Sequence, residues 1–195
     1  MSKEFAHSVW NTLSKIDVTP YVQYMRSTGG RPALRYLPWH EAWRLTKSRF
    51  PASWFAYKAD ITHPDHTMEV EVTVYISDGE GTFEQSCRLG VMDNKYRAVV
   101  DPHARDINDS RQRALVKALA FCGLGLNLWS DSDVPVGLQG ETVTEEQACE
   151  ISALIDRTGS DLTKFLDWAG VEDIESMSYE QYQLAVKKLK QKASK

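Results

Sequence analysis

The chain has no apolar run approaching the roughly 18 residues that a membrane-spanning helix needs. Its start, Met1 to Ser8, lacks the apolar stretch of a secretory signal. The expectation is a cytoplasmic protein that does not engage a membrane. Cysteine is scarce: Cys87, Cys122 and Cys149 lie far apart and form no C-x-x-C pair, so they read as reduced packing residues. Also missing are a G-x-x-x-x-G-K-[ST] phosphate loop, which leaves ATP-driven chemistry unindicated, and a G-x-S-x-G nucleophile elbow. No residue set calls for a cofactor. His63 and His66 have His-x-x-His spacing, but Pro64 separates them and no third ligand follows, so a solvated loop is expected there rather than a metal site.

What is present is 195 residues, enough for one full core and a small accessory module. The net charge of −4 is unevenly spread. Residues 1–137 carry sixteen basic and sixteen acidic side chains, whereas 138–195 carry seven against eleven, so the acidity belongs to the tail. Between Arg26 and Arg49 six basic residues (Arg26, Arg31, Arg35, Arg44, Lys47, Arg49) face one acid, Glu41. Such a segment attracts phosphates. The alternative is a solvated helix face.

Phe5, Val9, Leu13 and Ile16 stand at helical spacing, so a short amphipathic helix opens the chain and stops near Pro20. Arg26 to Pro32 holds consecutive glycines and a proline and reads as a flexible basic loop. From Pro38 to Phe50 the stripe Trp39, Ala42, Trp43, Thr46, Phe50 predicts a helix with His40, Arg44 and Lys47 turned outward. Its tryptophans read as core rather than base-stacking platforms. Met68 to Ile76 alternates strictly, apolar on even positions, and predicts a strand; Ser77 to Gly81 turns, Thr82 to Val91 returns, and Trp54 to Asp60 supplies a third strand. The cover for this meander is a helix beginning near Asp106 or Asn108, with Leu115, Ala118, Leu119 and Cys122 on its apolar face and Gly123 and Gly125 ending it. Arg113 and Lys117, four apart and directed away from that face, form a cationic ridge that suggests a binding groove.

After Trp129 the apolar periodicity fails. The expected organisation is therefore a domain over 1–130, a linker over 131–142 and a helical module over 143–195. In the last, Thr144-Glu-Glu-Gln and Ser178-Tyr-Glu-Gln match capping boxes and Asp161 caps a helix between them. Ile151, Leu154, Ile155, Phe165, Trp168, Tyr182, Ala185, Val186 and Leu189 supply its small core. The fold class is thus α+β: an antiparallel β-meander packed against a long helix, a β-β-β-α core, with a three-helix C-terminal module.

Three stretches make the chain familiar: Tyr36-Leu-Pro-Trp-His-Glu-Ala-Trp, Leu89-Gly-Val-Met-Asp, and Asp106 through Leu126, which includes Arg-Ala-Leu-Val-Lys-Ala-Leu-Ala-Phe-Cys-Gly-Leu-Gly-Leu. Over roughly residues 15 to 130 they resemble the Sak-type single-strand annealing proteins of bacteriophages, relatives of the eukaryotic protein Rad fifty-two. The resemblance implies a homo-oligomer, ring or helical filament, holding single-stranded DNA in a cationic groove and annealing it without enzymatic chemistry. The relative's Lys-Arg pair on the long helix falls on Val116 and Lys117, with Arg113 one turn earlier supplying the missing charge; the arginine before its glycine loop corresponds to Arg26. With Arg31, Arg35, Arg44, Lys47, Arg88, Lys95, Arg97 and Arg111 these are the candidate DNA contacts. The tail is similar to docking segments of phage annealing proteins. That implies the phage exonuclease or the acidic tail of the host single-strand binding protein as partner, met by Lys164, Lys187, Lys188 and Lys190. Two rivals remain: a phage adaptor whose tail recruits a partner, and a metal-dependent nuclease using Glu69, Glu71 and a histidine.

Overall fold

A computed structural model describes residues 3–25, 34–93, 95–130 and 132–193. The chain forms two compact units, Met1–Gly137 and Leu138–Lys195, dividing inside the polar, turn-rich segment that follows Trp129. Among the described residues no helix is long and apolar enough to cross a membrane.

The first unit opens with α1 (Lys3–Leu13), which buries Val9 and Leu13, and a 3-10 turn at Thr19–Tyr21. Strands β1 (Gln23–Met25) and β2 (Leu34–Tyr36) then pair antiparallel, with Met25 opposite Leu34. Only a loop is expected in this region; the strands are three residues long and mostly exposed, so they carry no alternation to read. Arg26 and Arg31 lie outside the described residues.

Helix α2 (Trp39–Arg49) departs from the expected pattern at Trp39 and at Lys47. Ala42, Leu45 and Thr46 are buried together with Phe50, but Trp39 is 39% exposed, its ring set edge-to-face with His40, so Trp39 is not a core residue. It sits on the helix's first position, ahead of the face that Ala42 and Leu45 turn inward. Lys47 does not point outward either. Its ammonium bonds the carbonyls of Pro51 and Ser53, beyond the helix C-terminus, where a cation also opposes the negative end of the helix dipole.

The main sheet is built on β5 (Met68–Ser77). Along one side it pairs with β6 (Thr82–Gly90) over its length, and along the other with β3 (Trp54–Tyr57) and the two-residue β4 (Ile61–Thr62), all antiparallel. The period-2 pattern is obeyed: Val70, Val72, Val74 and Ile76 are fully buried. Each such burial stabilises the fold by about 1.5–3 kcal/mol relative to exposure. Register puts Phe55, Tyr57, Phe83, Cys87 and Leu89 on the same face.

That face is covered by α3 (Ala104–Phe121), which packs on β5 and β6 through Ala114, Leu115, Ala118 and Leu119. The helix starts two residues before Asp106. The reason is that Asp106 acts from inside the first turn, its carboxylate accepting from the backbone N–H of His103 at 3.0 Å, rather than from the cap position itself.

The second unit contains α4 (Glu145–Thr158), α5 (Leu162–Ala169) and α6 (Tyr179–Ala193) around Ile151, Leu154, Ile155, Phe165, Met177, Ala185 and Leu189. Its starts follow the sequence closely. Thr144 Oγ1 accepts from Gln147 N while Gln147 Oε1 accepts from Thr144 N, Asp161 accepts from Lys164 N, and Ser178 and Gln181 reciprocate in the same way.

Candidate nucleic-acid interface

Helix α3 distributes its cations over two flanks. Arg111 and Arg113, two residues apart, are separated by about 200° around the helix axis, so they leave the buried stripe on opposite sides. Arg111 reaches toward β3: its Nη2 donates to Asp60 Oδ2 at 2.7 Å and its guanidinium lies 5.0 Å from the Tyr57 ring centroid. Both partners are partly buried, and the pair ties the β3–β4 connection to the helix.

Arg113 and Lys117 share the other flank, one turn apart, beside β6. Both are half-buried rather than directed into open solvent. Arg113 Nη1 donates to the Met92 carbonyl at 3.4 Å. Lys117 acts on Cys87 of β6: burial raises that thiol's pKa, and the nearby ammonium opposes the rise.

Over this flank sits a small turn closed by the bridge between Met92 and Ala98. Asp93 organises it. Its Oδ1 accepts from Lys95 N at 2.7 Å and Arg97 N at 3.0 Å, and its Oδ2 accepts from Arg97 Nε at 2.9 Å. The backbone and side-chain donors of Arg97 are the main reason its carboxyl is held down at about 2. Stability from this carboxylate is complete above its unfolded value near 4 and is lost only as pH falls through about 2, so its hold on the turn does not vary across physiological pH. The turn leaves Lys95, Tyr96 and Arg97 exposed, and the Arg113 guanidinium lies 5.8 Å from the Tyr96 ring centroid. Arg113 thus meets the turn that carries Lys95 and Arg97, and Lys117 follows one turn along the same flank of α3, so four expected contacts belong to this flank and its turn. Tyr96 was not among the expected residues, although an aromatic between two cations in Lys95-Tyr96-Arg97 is a readable signal.

Asp93→Ala separates the turn's shape from its charge. It removes a negative charge beside three cations, which alone would strengthen phosphate binding, but it also frees the turn. The expected result is several-fold weaker binding of a labelled single-stranded oligonucleotide, measured by anisotropy; tighter binding would show that the turn's geometry does not matter.

The other candidates stand elsewhere. Arg35 is paired with Asp133. Arg44 donates to Glu41 at 2.8 Å and lies 4.8 Å from the Tyr21 ring centroid, and the Glu41 bond raises its pKa, with a smaller contribution from Tyr21. Arg88 is on the sheet face away from α3, where it donates to Glu71 at 2.7 Å and lies 3.9 Å from Glu69. The two glutamates of the nuclease reading are therefore engaged by an arginine. Among the described residues, no three His, Cys, Asp or Glu side chains are grouped to hold a metal ion.

In the second unit, Lys190 donates to Glu150 at 3.0 Å, and Glu150 also accepts from the Tyr182 hydroxyl; these two bonds, Tyr182 first, lower its pKa. Lys187 is exposed. Lys164 and Lys188 instead border an open cleft of about 410 Å³ whose apolar lining is Phe165, Trp168 and Leu189, with Lys192, outside the expected set, on the same rim. The Lys188 ammonium stands 4.0 Å from the Trp168 ring centroid.

Comparison with curated proteins gives no match. The family model of the Sak single-strand annealing protein, in contrast, matches residues 8–158, from α1 through the main sheet and α3 to the end of α4. A match over that much of the sequence, on the fold that carries the cationic flank of α3, means that the chain belongs to the Sak single-strand annealing protein family.

Proposed function

We propose that this protein binds single-stranded DNA along the Arg113–Lys117 flank of α3 and anneals complementary strands without ATP, as a homo-oligomer acting in phage recombination in the cytoplasm of a bacterial host. The observation that carries the reading is the Arg113–Lys117 flank of α3, with the Lys95-Tyr96-Arg97 turn beside Arg113, in a chain of this family. Phosphates are held by contacts that ignore sequence, and release of counterions drives that binding. The bases stay available. A second strand then samples registers, and stacking worth about 1.4 kcal/mol per base-pair step drives the duplex home. No bond is made or broken in the strands, so the mechanism requires no nucleophile and no cofactor. Several subunits on one strand multiply contacts that are individually weak, which reconciles DNA binding with a net charge of −4.

The test is annealing of two complementary labelled oligonucleotides by the purified full chain, without nucleotide or metal, at low and moderate salt. Acceleration that weakens as salt rises is expected. No acceleration at any salt would favour the adaptor reading, in which the tail alone is functional.

The cleft on the second unit supports a docking role for that unit. Lysines on the rim of an apolar cleft suit an acidic peptide, and the acidic tail of the host single-strand binding protein is the partner expected. Trp168→Ala in the full chain is expected to weaken capture of such a peptide about tenfold or more while leaving annealing of bare strands unchanged. Equal capture by both forms would leave the phage exonuclease as the partner to test.

A further inference from the structure

We propose that Tyr96 stacks on an unpaired base of the bound strand, so that the turn distinguishes single strands from duplex; this role rests on the annealing reading above. Tyr96 is 62% exposed and its backbone adopts φ +61°, a conformation that tyrosine disfavours. Such a conformation persists only where surrounding bonds impose it. Here Asp93 imposes it, accepting from the backbone on either side of Tyr96 while Tyr96 N donates to the Asp93 carbonyl at 3.1 Å.

The neighbours fit a nucleotide. Lys95 and Arg97 flank the ring in sequence, and the Arg113 guanidinium stands beside it, so phosphates held by these cations bring their bases to an aromatic surface. Arg113 alone does not account for the ring's placement: at 5.8 Å from the centroid the contact is at the outer limit of a cation–π interaction. A base inside a duplex already has both faces covered by its neighbours. An unpaired base offers a face, and stacking on it does not depend on which base it is.

The experiment compares three forms of the full chain, wild type, Tyr96→Phe and Tyr96→Asn, on two labelled probes of equal length: an ordinary single strand, and one in which abasic residues replace the nucleosides. Asparagine accepts positive φ, so it removes the ring while keeping the turn. The expected result is about a tenfold loss of affinity by Tyr96→Asn for the ordinary strand, with little change for the abasic strand, and near wild-type binding by Tyr96→Phe. An equal loss on both probes would overturn the stacking role, because the ring would then act only through the cations, and so would no loss on either. A wild-type chain that binds neither probe would overturn the DNA reading itself, and this role with it.

Discussion

Arg113→Ala/Lys117→Ala is expected to remove measurable strand annealing at moderate salt while leaving the fold intact. The two side chains stand one turn apart on the flank of α3 beside β6, where like charges at this spacing repel by a few tenths of a kcal/mol. Their removal therefore costs the protein little. Arg113's hydrogen bond to the Met92 carbonyl is long at 3.4 Å, and the thermal midpoint should move by no more than about 4 °C. DNA binding is affected differently. Each lost phosphate contact lowers the slope of log affinity against log salt by about one, so a subunit carrying both changes loses about two. When several subunits hold one strand the losses add, and the measured fall divided by two counts the subunits engaged. Binding by the double variant with an unchanged slope would move the groove away from α3, toward the Arg26–Arg49 segment.

The second large effect concerns stability. Gly123→Ala is expected to destabilise the first unit by about 3 kcal/mol or more, lowering its thermal midpoint by roughly 6–12 °C. Gly123 ends α3 with φ +109°, its N–H donating to the Ala120 carbonyl at 2.8 Å while Leu124 N donates to the Leu119 carbonyl at 3.1 Å. A Cβ here would stand 2.9 Å from the backbone nitrogen of Ser14 and 3.1 Å from its Cα. Ser14 is poorly placed to yield, since its N–H donates to the Trp10 carbonyl and its own carbonyl accepts from Gly137 N. Gly125 provides the control: its φ is +64°, but a Cβ would meet side chains rather than backbone, Val18 at 3.3 Å and Leu37 at 3.6 Å. Gly125→Ala should therefore cost about 1 kcal/mol. Urea unfolding of the two variants decides the matter. Equal losses would assign the whole effect to backbone conformation and none to the crossing with Ser14.

Gly123 also marks how far the sequence could be read. That a glycine stops the helix there follows from its position after the last apolar turn; that Ser14, more than a hundred residues away, crosses it does not. The same division runs through the fold. The alternation of β5, the apolar stripe of α3 and the capping boxes at Thr144 and Ser178 are periodic or local, and local pattern is what a sequence displays. Strands β1, β2 and β4 exist through pairing alone, with too few residues to show any period. In the candidate site, the spacing of Arg113 and Lys117 was legible because a helix fixes it. The carboxylates that meet Arg35 and Arg111, Asp133 and Asp60, are distant in sequence and invisible to any window. Trp39 misled because it fits the stripe by spacing yet sits on the first position of α2, where its ring escapes the core. Tyr96 lies between two cations that a sequence displays, but its place beside Arg113 comes from a turn without any regular period.

The pairing of arginines with the protein's own acids, Arg35 with Asp133, Arg44 with Glu41, Arg88 with Glu71, Arg97 with Asp93 and Arg111 with Asp60, has a kinetic consequence. A phosphate that reaches such an arginine gains only the difference between two ion pairs, and the displaced carboxylate stays within reach to take the guanidinium back. On the proposed reading, the dwell time of any one nucleotide is shortened accordingly. For a protein whose product is a duplex it no longer needs to hold, quick release matters as much as capture, because a strand pinned in the wrong register cannot shift to the right one.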